Sequence, residues 1–507
     1  MQRLFEWIPG TLSWGTLIAI FFFSWSLPAA TAIFIILFDI YWLLKTVYFS
    51  LHLRVSFRKM RENMKIDWLA RVNALSPEQK NSGHMRWDDV RHLVILPMYR
   101  EPYEVVRESI VSLAVAHYPQ EKMLVVLATE GAAPEGRDVA DRIRHEFEGA
   151  FGAFLVTVHP AGIGDEIPGK GSNEAWAGRE AQRVLIDGMH IPYEQVLVSV
   201  FDADTQVLPE YFGILTYQFL TVENPQRASY QPVPLFTNNI FTAPSLARVI
   251  AFSSSFWHMI QQSRPERLTT FSSHAMPLRA LTEVGFWNRA IVSEDSQIFW
   301  QCYLHYDSEW RVVPILYPVS MDANVAPKFW TTMKNLYKQQ RRWAWGCENI
   351  PYFLCGFMRN KKIPLRKKLY WSFHIIEGFH SWATNAVMIF LLGWLPIALG
   401  GSAFQSSVLS YNLPRITHTI TNMAILGITS SAILSILLLP PKPTWFRRRH
   451  YVLYFVQWLM LPVTLIIFGA LPALEAQTRL LIGGRARLGF WVTPKFREKS
   501  SHDEFDG

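Results

Sequence analysis

The sequence predicts an α/β domain inserted between transmembrane α-helices. Three observations predict it. The 507-residue chain is half hydrophobic, only 18% charged and has a mean hydropathy of +0.10, whereas a soluble domain averages about a quarter charged. Long uncharged runs lie near both ends. Between them, short apolar segments alternate with amphipathic ones, the pattern of βαβ units in a mostly parallel sheet. This composition excludes a disordered chain or a fibrous repeat.

The first uncharged run spans Trp7 to Phe38, with apolar residues continuing to Leu53. About 20 residues cross a bilayer once, so the run predicts two helices, 9–26 and 28–51, broken at Ser26-Leu27-Pro28. It is too long for a signal-peptide core and lacks a small-residue cleavage site. Asp39 falls inside the second helix, where a carboxylate is either functional or hydrogen-bonded to a neighbouring helix. Lys45, nearer the end, is expected to snorkel. Further uncharged runs cover 378–414, 416–441 and 451–474.

Basic clusters set the orientation. Arg54 to Lys65, Lys361 to Lys368, Lys442 to Arg449, and the tail with Arg485, Arg487, Lys495, Arg497 and Lys499 are expected to be cytoplasmic. The loop near 400–415 would face outside, and 451–484 must cross twice or re-enter, with Pro462 and Pro472 as breaks. Because so many basic residues flank membrane segments, the net charge of +8 does not argue for nucleic acid. Cys302, Cys347 and Cys355 form no CxxC pair and read as reduced thiols.

Within the insert, 92–96, 123–127, 154–158 and 196–201 predict strands, and 103–117, 136–149 and 172–187 predict helices. Ligands of such sheets bind beyond the strand carboxyl ends. That rule selects 99–102, 129–131, the loop 160–173, and Asp202-Ala203-Asp204. Two carboxylates ending an apolar strand suit a hard divalent cation bridging phosphates, or a solvated turn with a capping Asp. Gly164 to Lys170 reads GxxxxGK, but Gly171 stands where a P-loop needs Ser or Thr. Lys170 can still hold a diphosphate by another geometry. Ser293-Glu294-Asp295 reads as an N-cap with acids in the first turn, or as a catalytic carboxylate. Gln339-Gln340-Arg341-Arg342-Trp343 reads as an interfacial helix, or as an Arg for phosphate and a Trp for stacking a sugar.

In this order the motifs resemble those of membrane-embedded family 2 glycosyltransferases of the cellulose synthase and hyaluronan synthase type. Pro97-Met98-Tyr99-Arg100-Glu101 resembles the first-strand nucleotide motif, and Asp202-Ala203-Asp204 the metal-binding DxD. Ser293-Glu294-Asp295 resembles TED, Gln339, Arg342 and Trp343 fit QxxRW, and Phe490, Val492, Thr493 and Lys495 fit the gating motif FxVTxK. The resemblance implies a GT-A domain over 54–365, a transmembrane hairpin over 1–53, further membrane helices over 366–484 and a gating-like tail over 485–507. It implies Mg2+ or Mn2+ on Asp202 and Asp204, and Asp295 as the general base beside Glu294. Arg342 would bind the diphosphate of a nucleotide sugar, most simply a UDP-sugar, and Trp343 would lie under the acceptor sugar. Lys170 and Asn173 match the family's conserved loop.

Arg100 replaces the usual Asn, and Thr129-Glu130 replaces an acidic pair, leaving Glu130 as the lone base-reading carboxylate. Phe271 to Ala275 stands at the acceptor-side motif without its glycine, so His274 is either an acceptor contact or a packed side chain. The expected function is sugar transfer to a growing polysaccharide in the plasma or inner membrane, with or without an export partner. Single-sugar transfer to a lipid or lipid-linked glycan is the alternative. A membrane protein with an inert GT-A domain is the alternative of another class.

Overall fold

The computed structural model describes residues 1–81 and 85–496, so Arg497 and Lys499 of the basic tail lie outside the described residues. The chain divides into two compact units. One comprises 1–54, 244–252 and 336–488; the other comprises 55–243, 253–335 and the segment from 489.

The second unit is built on one eight-stranded sheet. Its strands are β1 (Arg91–Pro97), β2 (Met123–Glu130), β3 (Ala153–His159), β4 (Val196–Val200), β5 (Gln206–Val207), β6 (Ala228–Phe236), β7 (Ala275–Pro277) and β8 (Arg311–Met321). They lie in the order β3-β2-β1-β4-β7-β6-β8-β5. β1 to β4 are mutually parallel, β7 runs antiparallel to both β4 and β6, and β8 is parallel to β6. The four expected strands are thus one half of the sheet.

β1, β2 and β4 are buried along nearly their whole length, which explains their unbroken apolar sequences: a strand covered on both faces does not alternate. The connecting helices Tyr103–Ala114 and Pro134–Glu146 close the first two crossovers. Val106, Ile110 and Leu113 join Val94, Leu96, Val125 and Leu127 in the core. Lys170–Ala181 begins the third helix, which continues as a π turn through Gln182–Ile186.

Gln2–Ser26 and Pro28–Asn63, which contribute residues 2–54 to the other unit, form the expected pair of helices, longer than predicted at both outer ends. Among the described residues, four helices are long and apolar enough to cross a membrane: these two, Val408–Leu437 and Arg448–Ile482. The run 378–414 is not one continuous helix. It is divided among Leu365–Val387, a π turn Met388–Leu392, two short helices and the start of Val408–Leu437. Arg448–Ile482 is helical with 3-10 and π interruptions near Pro462 and Pro472.

Polar pairs join these helices. Lys45 is paired within the helices: Glu377 accepts from its ammonium at 2.9 Å, and the Trp42 ring lies 4.5 Å from it. Ser13 donates to Gln477, and Arg3 donates to the carbonyls of Leu480, Leu481 and Ile482. Asp39 is buried, and its Oδ1 has no hydrogen-bond partner among the described residues.

Candidate active site

The carboxyl ends of β1 to β4 bring most of the sequence-selected residues of the α/β unit together. β1 ends at Pro97, and the chain turns through Tyr99, whose backbone N–H donates to the Glu101 carboxylate at 2.5 Å. Burial pushes the Glu101 carboxyl above its ordinary range, the Tyr99 N–H and the Lys495 charge opposing. β2 ends at Glu130, with Asn173 donating to the β2 carbonyl of Ala128 at 2.8 Å.

β4 delivers the aspartate pair. Asp202 accepts from the Lys170 ammonium at 2.7 Å and from the Ser272 hydroxyl at 2.9 Å. Asp204 is completely buried. Its Oδ2 accepts from Lys495 Nζ at 2.6 Å and from the Asp322 backbone N–H at 2.9 Å. Its Oδ1 has no hydrogen-bond partner among the described residues.

Lys170 is the hub of a buried charge cluster. Its ammonium lies 3.4 Å from Glu174 and 3.6 Å from Glu294, besides Asp202. Burial alone would depress it, but Asp202, Glu174, Glu294 and Asp295 together hold its pKa well above the usual lysine value. Burial drives the Glu174 carboxyl strongly upward against the pull of Lys170. Gly171 explains why the phosphate-loop pattern is a decoy. A Cβ there would stand 2.9 Å from the Cβ of Glu294, so the missing Ser or Thr makes room for the carboxylate helix.

That helix, Glu294–His305, starts at Ser293, whose side chain makes no capping bond. Ser293 thus holds the N-cap position with Glu294 and Asp295 in the first turn, and the Glu294 carboxylate lies 3.6 Å from the Lys170 ammonium. His274 is 1% exposed; its Nδ1–H donates to the Phe271 carbonyl at 2.8 Å, and Nε2 has no partner among the described residues. Burial depresses its pKa to about 4, so the ring is neutral at pH 7.

The gating-like segment crosses the same site. Phe490 packs on Gly169, where its ring reaches within 2.5 Å of the position a Cβ would take, at a backbone φ of +150°. Val492 and Thr493 lie between Phe490 and Lys495, and Thr493 is buried.

Gln339, Arg342 and Trp343 belong to the other unit, near the end of the helix Phe329–Ala344. There Glu475 accepts from Tyr337 at 2.9 Å, Arg341 at 2.6 Å and Arg479 at 2.8 Å.

Sequence reasoning missed Asp322, Glu174 and Glu475. Asp322 directly follows β8 and receives a bond from Asn238 at 3.1 Å. Burial and the Asp204 charge push its pKa up to about 8. An acid ending an apolar strand was the available signal, as at Asp202.

Among the described residues, no group of three or more His, Cys, Asp or Glu is arranged to hold a metal ion. The buried, partnerless Asp204 Oδ1 beside Asp322 is nonetheless an oxygen donor set of the kind hard divalent cations take.

The sequence model of the family described as Glycosyl transferase family group 2 matches residues 197–471, more than half of the chain. The chain belongs to that family. It is a glycosyltransferase whose α/β domain is flanked by apolar helices at both ends of the chain. A search of curated proteins finds no match. Among solved structures it is similar to the mannosyltransferase PcManGT from Pyrobaculum calidifontis in complex with GDP-Man and Mn2+, at 15% identity over 79% of this chain and 99% of that one, TM-score 0.41. It is also similar to S. aureus TarS 1–349 in complex with UDP-GlcNAc, at 13% identity over 68% and 90%, TM-score 0.31. Glucosyl-3-phosphoglycerate synthase from Mycobacterium tuberculosis, in complex with Mn2+, UDP and phosphoglyceric acid, matches at 12% identity over 53% and 81%, TM-score 0.32.

Proposed function

We propose that this chain is an inverting, metal-dependent membrane glycosyltransferase of the cellulose synthase and hyaluronan synthase type. It moves a sugar from a nucleotide donor, a UDP-sugar in the simplest reading, to a growing polysaccharide. The observation that carries the reading is the convergence of Lys170, Asp202 and Glu294 in one buried charge cluster, with Asp295 next in sequence. The basic clusters support a catalytic domain on the cytoplasmic face of the membrane, with an export partner where the product must cross.

In this account Asp295 takes the proton of the acceptor hydroxyl as its oxygen attacks the anomeric carbon. The bond from that carbon to the diphosphate breaks in the same displacement, which inverts the centre. Lys170 orients Asp202 and lends positive charge to the leaving diphosphate, and Glu294 and Glu174 hold the ammonium in place. Neutral His274 offers Nε2 as an acceptor to a sugar hydroxyl. Asp204 and Asp202 would hold Mg2+ or Mn2+, which when bound supplies charge to the diphosphate. Arg342 and Trp343 take the diphosphate and acceptor roles that the motif implies.

The test is nucleotide release from a panel of UDP- and GDP-sugars by the protein in lipid nanodiscs with Mg2+ or Mn2+. Release from one donor together with a ladder of products supports the proposal. The alternative reading is single-sugar transfer to a lipid or lipid-linked glycan, in keeping with the four apolar spans among the described residues. A product lengthened by one sugar would select it. Donor binding without turnover, even with membrane extract as acceptor, would support an inert domain.

A further inference from the structure

A second buried charge chain lies at the other side of the parallel half-sheet. Glu130, the last residue of β2, is the register partner of His159, the last residue of β3. Its Oε2 lies 3.0 Å from His159 Nδ1, and His159 Nε2 lies 2.9 Å from Glu166 Oε2. The other Glu166 oxygen accepts from Arg289. The imidazole and both carboxylates are almost wholly buried, with side chains 5–10% exposed. Yet Glu130 Oε1 has no hydrogen-bond partner among the described residues. A buried carboxylate oxygen left without a donor is costly, and this one sits at a strand carboxyl end, where sheets of this kind take their nucleotides.

We propose that His159, backed by Glu166, is a positioning residue that fixes Glu130 to accept a single N–H from the base of the donor nucleotide. This rests on the transferase reading above and adds the base chemistry to it. With Oε2 committed to His159, Glu130 has one oxygen to offer. That matches the edge of uracil, which carries one N–H between two carbonyls. It does not match guanine, whose adjacent N–H groups pair with both oxygens of a carboxylate.

The ring's protonation follows from its partners. An ionised carboxylate only accepts, so bonding to Glu130 and Glu166 together requires both ring nitrogens to carry hydrogen. The bond to Glu130 raises the His159 pKa against the effect of burial, and Glu166 raises it further. The groups facing the ring are Glu130 from β2, Glu166 and its partner Arg289, and the Trp176 ring at 6.0 Å from the helix Lys170–Ala181. Arg179 of that helix is close enough to feel Arg289 and Glu166. As the pH rises through the raised pKa of His159, one N–H is lost and Glu130 is released to turn.

The experiment is calorimetric binding of UDP, GDP and inorganic pyrophosphate, with Mg2+, to the wild-type protein and to His159→Gln and Glu130→Gln in nanodiscs. The expected result is wild-type preference for UDP over GDP, with affinity falling at alkaline pH. Both variants should lose about ten-fold in UDP affinity, lose that pH dependence and keep pyrophosphate binding. At saturating donor, His159→Gln should keep its kcat, with the loss confined to KM. The inference is overturned if His159→Gln binds UDP as wild type does, if pyrophosphate binding is lost in parallel, or if the wild type prefers GDP. Wild-type protein that binds none of the three overturns the transferase reading, and this inference with it.

Discussion

Lys495 Nζ lies 2.6 Å from Asp204 Oδ2, a contact between residues 291 positions apart. It places the gating-like segment on the aspartate pair. The neighbouring Asp202 meets Lys170 in the same way, at 2.7 Å. Each acid of the pair therefore has its own ammonium.

The Lys495 contact is a buried pair, with Asp204 at 0% and Lys495 at 16% side-chain exposure. Lys495→Met should lower the melting temperature in EDTA by about 5 °C, since it leaves a buried carboxylate uncompensated. Lys495→Met combined with Asp204→Asn should recover most of the loss. Equal melting temperatures for wild type and Lys495→Met would show that the contact stabilises nothing.

Gly171→Ser completes the phosphate-loop consensus on paper. Here it should damage the protein, because the new side chain meets Glu294. A loss of about 1–3 kcal/mol is expected, together with reduced turnover and no gain of ATP binding. Thermal unfolding and an ATP titration check both.

Buried histidines set an acid limit. Burial depresses the pKa of His92 to about 3, and of His258 and His274 to about 4. Between these values and about 6.5, the unfolded chain binds protons that the folded chain refuses. Stability is therefore present above that window and is lost as the pH falls through it, by about 1 kcal/mol per histidine at pH 5.5. His274→Gln should flatten the melting-temperature profile between pH 7.5 and 5 by roughly its share.

Glu475 gathers Tyr337, Arg341 and Arg479 one turn from Gln339 and Arg342. Glu475→Ala should cost at least about ten-fold in turnover by releasing the Arg341 side of that helix end. Glu475→Asp should restore part of it. Unchanged turnover in Glu475→Ala would show that this contact does not order the motif.

The parallel half of the sheet was legible because its strands are buried on both faces and read as plain apolar runs. Asp202 and Asp204 were legible with it, since they end such a run. The other half was not. β6 contains Pro232 and Pro234, β8 contains Pro314 and Pro318, and β7 has only three residues. Proline argues against an interior strand, yet here the β6–β8 register shifts between Gln231 and Val233 and absorbs it. Missing β8 meant missing Asp322 at its end. His159 was hidden for another reason: its partnership with Glu130 depends on β2–β3 register, and nothing local in either segment announces it. The Lys495 contact is likewise tertiary.

The measurement that tests the central claim most directly is single-turnover sugar transfer by Asp295→Asn, with donor affinity measured on the same preparation. Asn keeps the shape of the side chain and removes its capacity to take a proton. The account predicts unchanged donor binding with transfer slowed by about 10²–10⁴-fold. Transfer at the wild-type rate would contradict Asp295 as the base, and with it the mechanism proposed for this site.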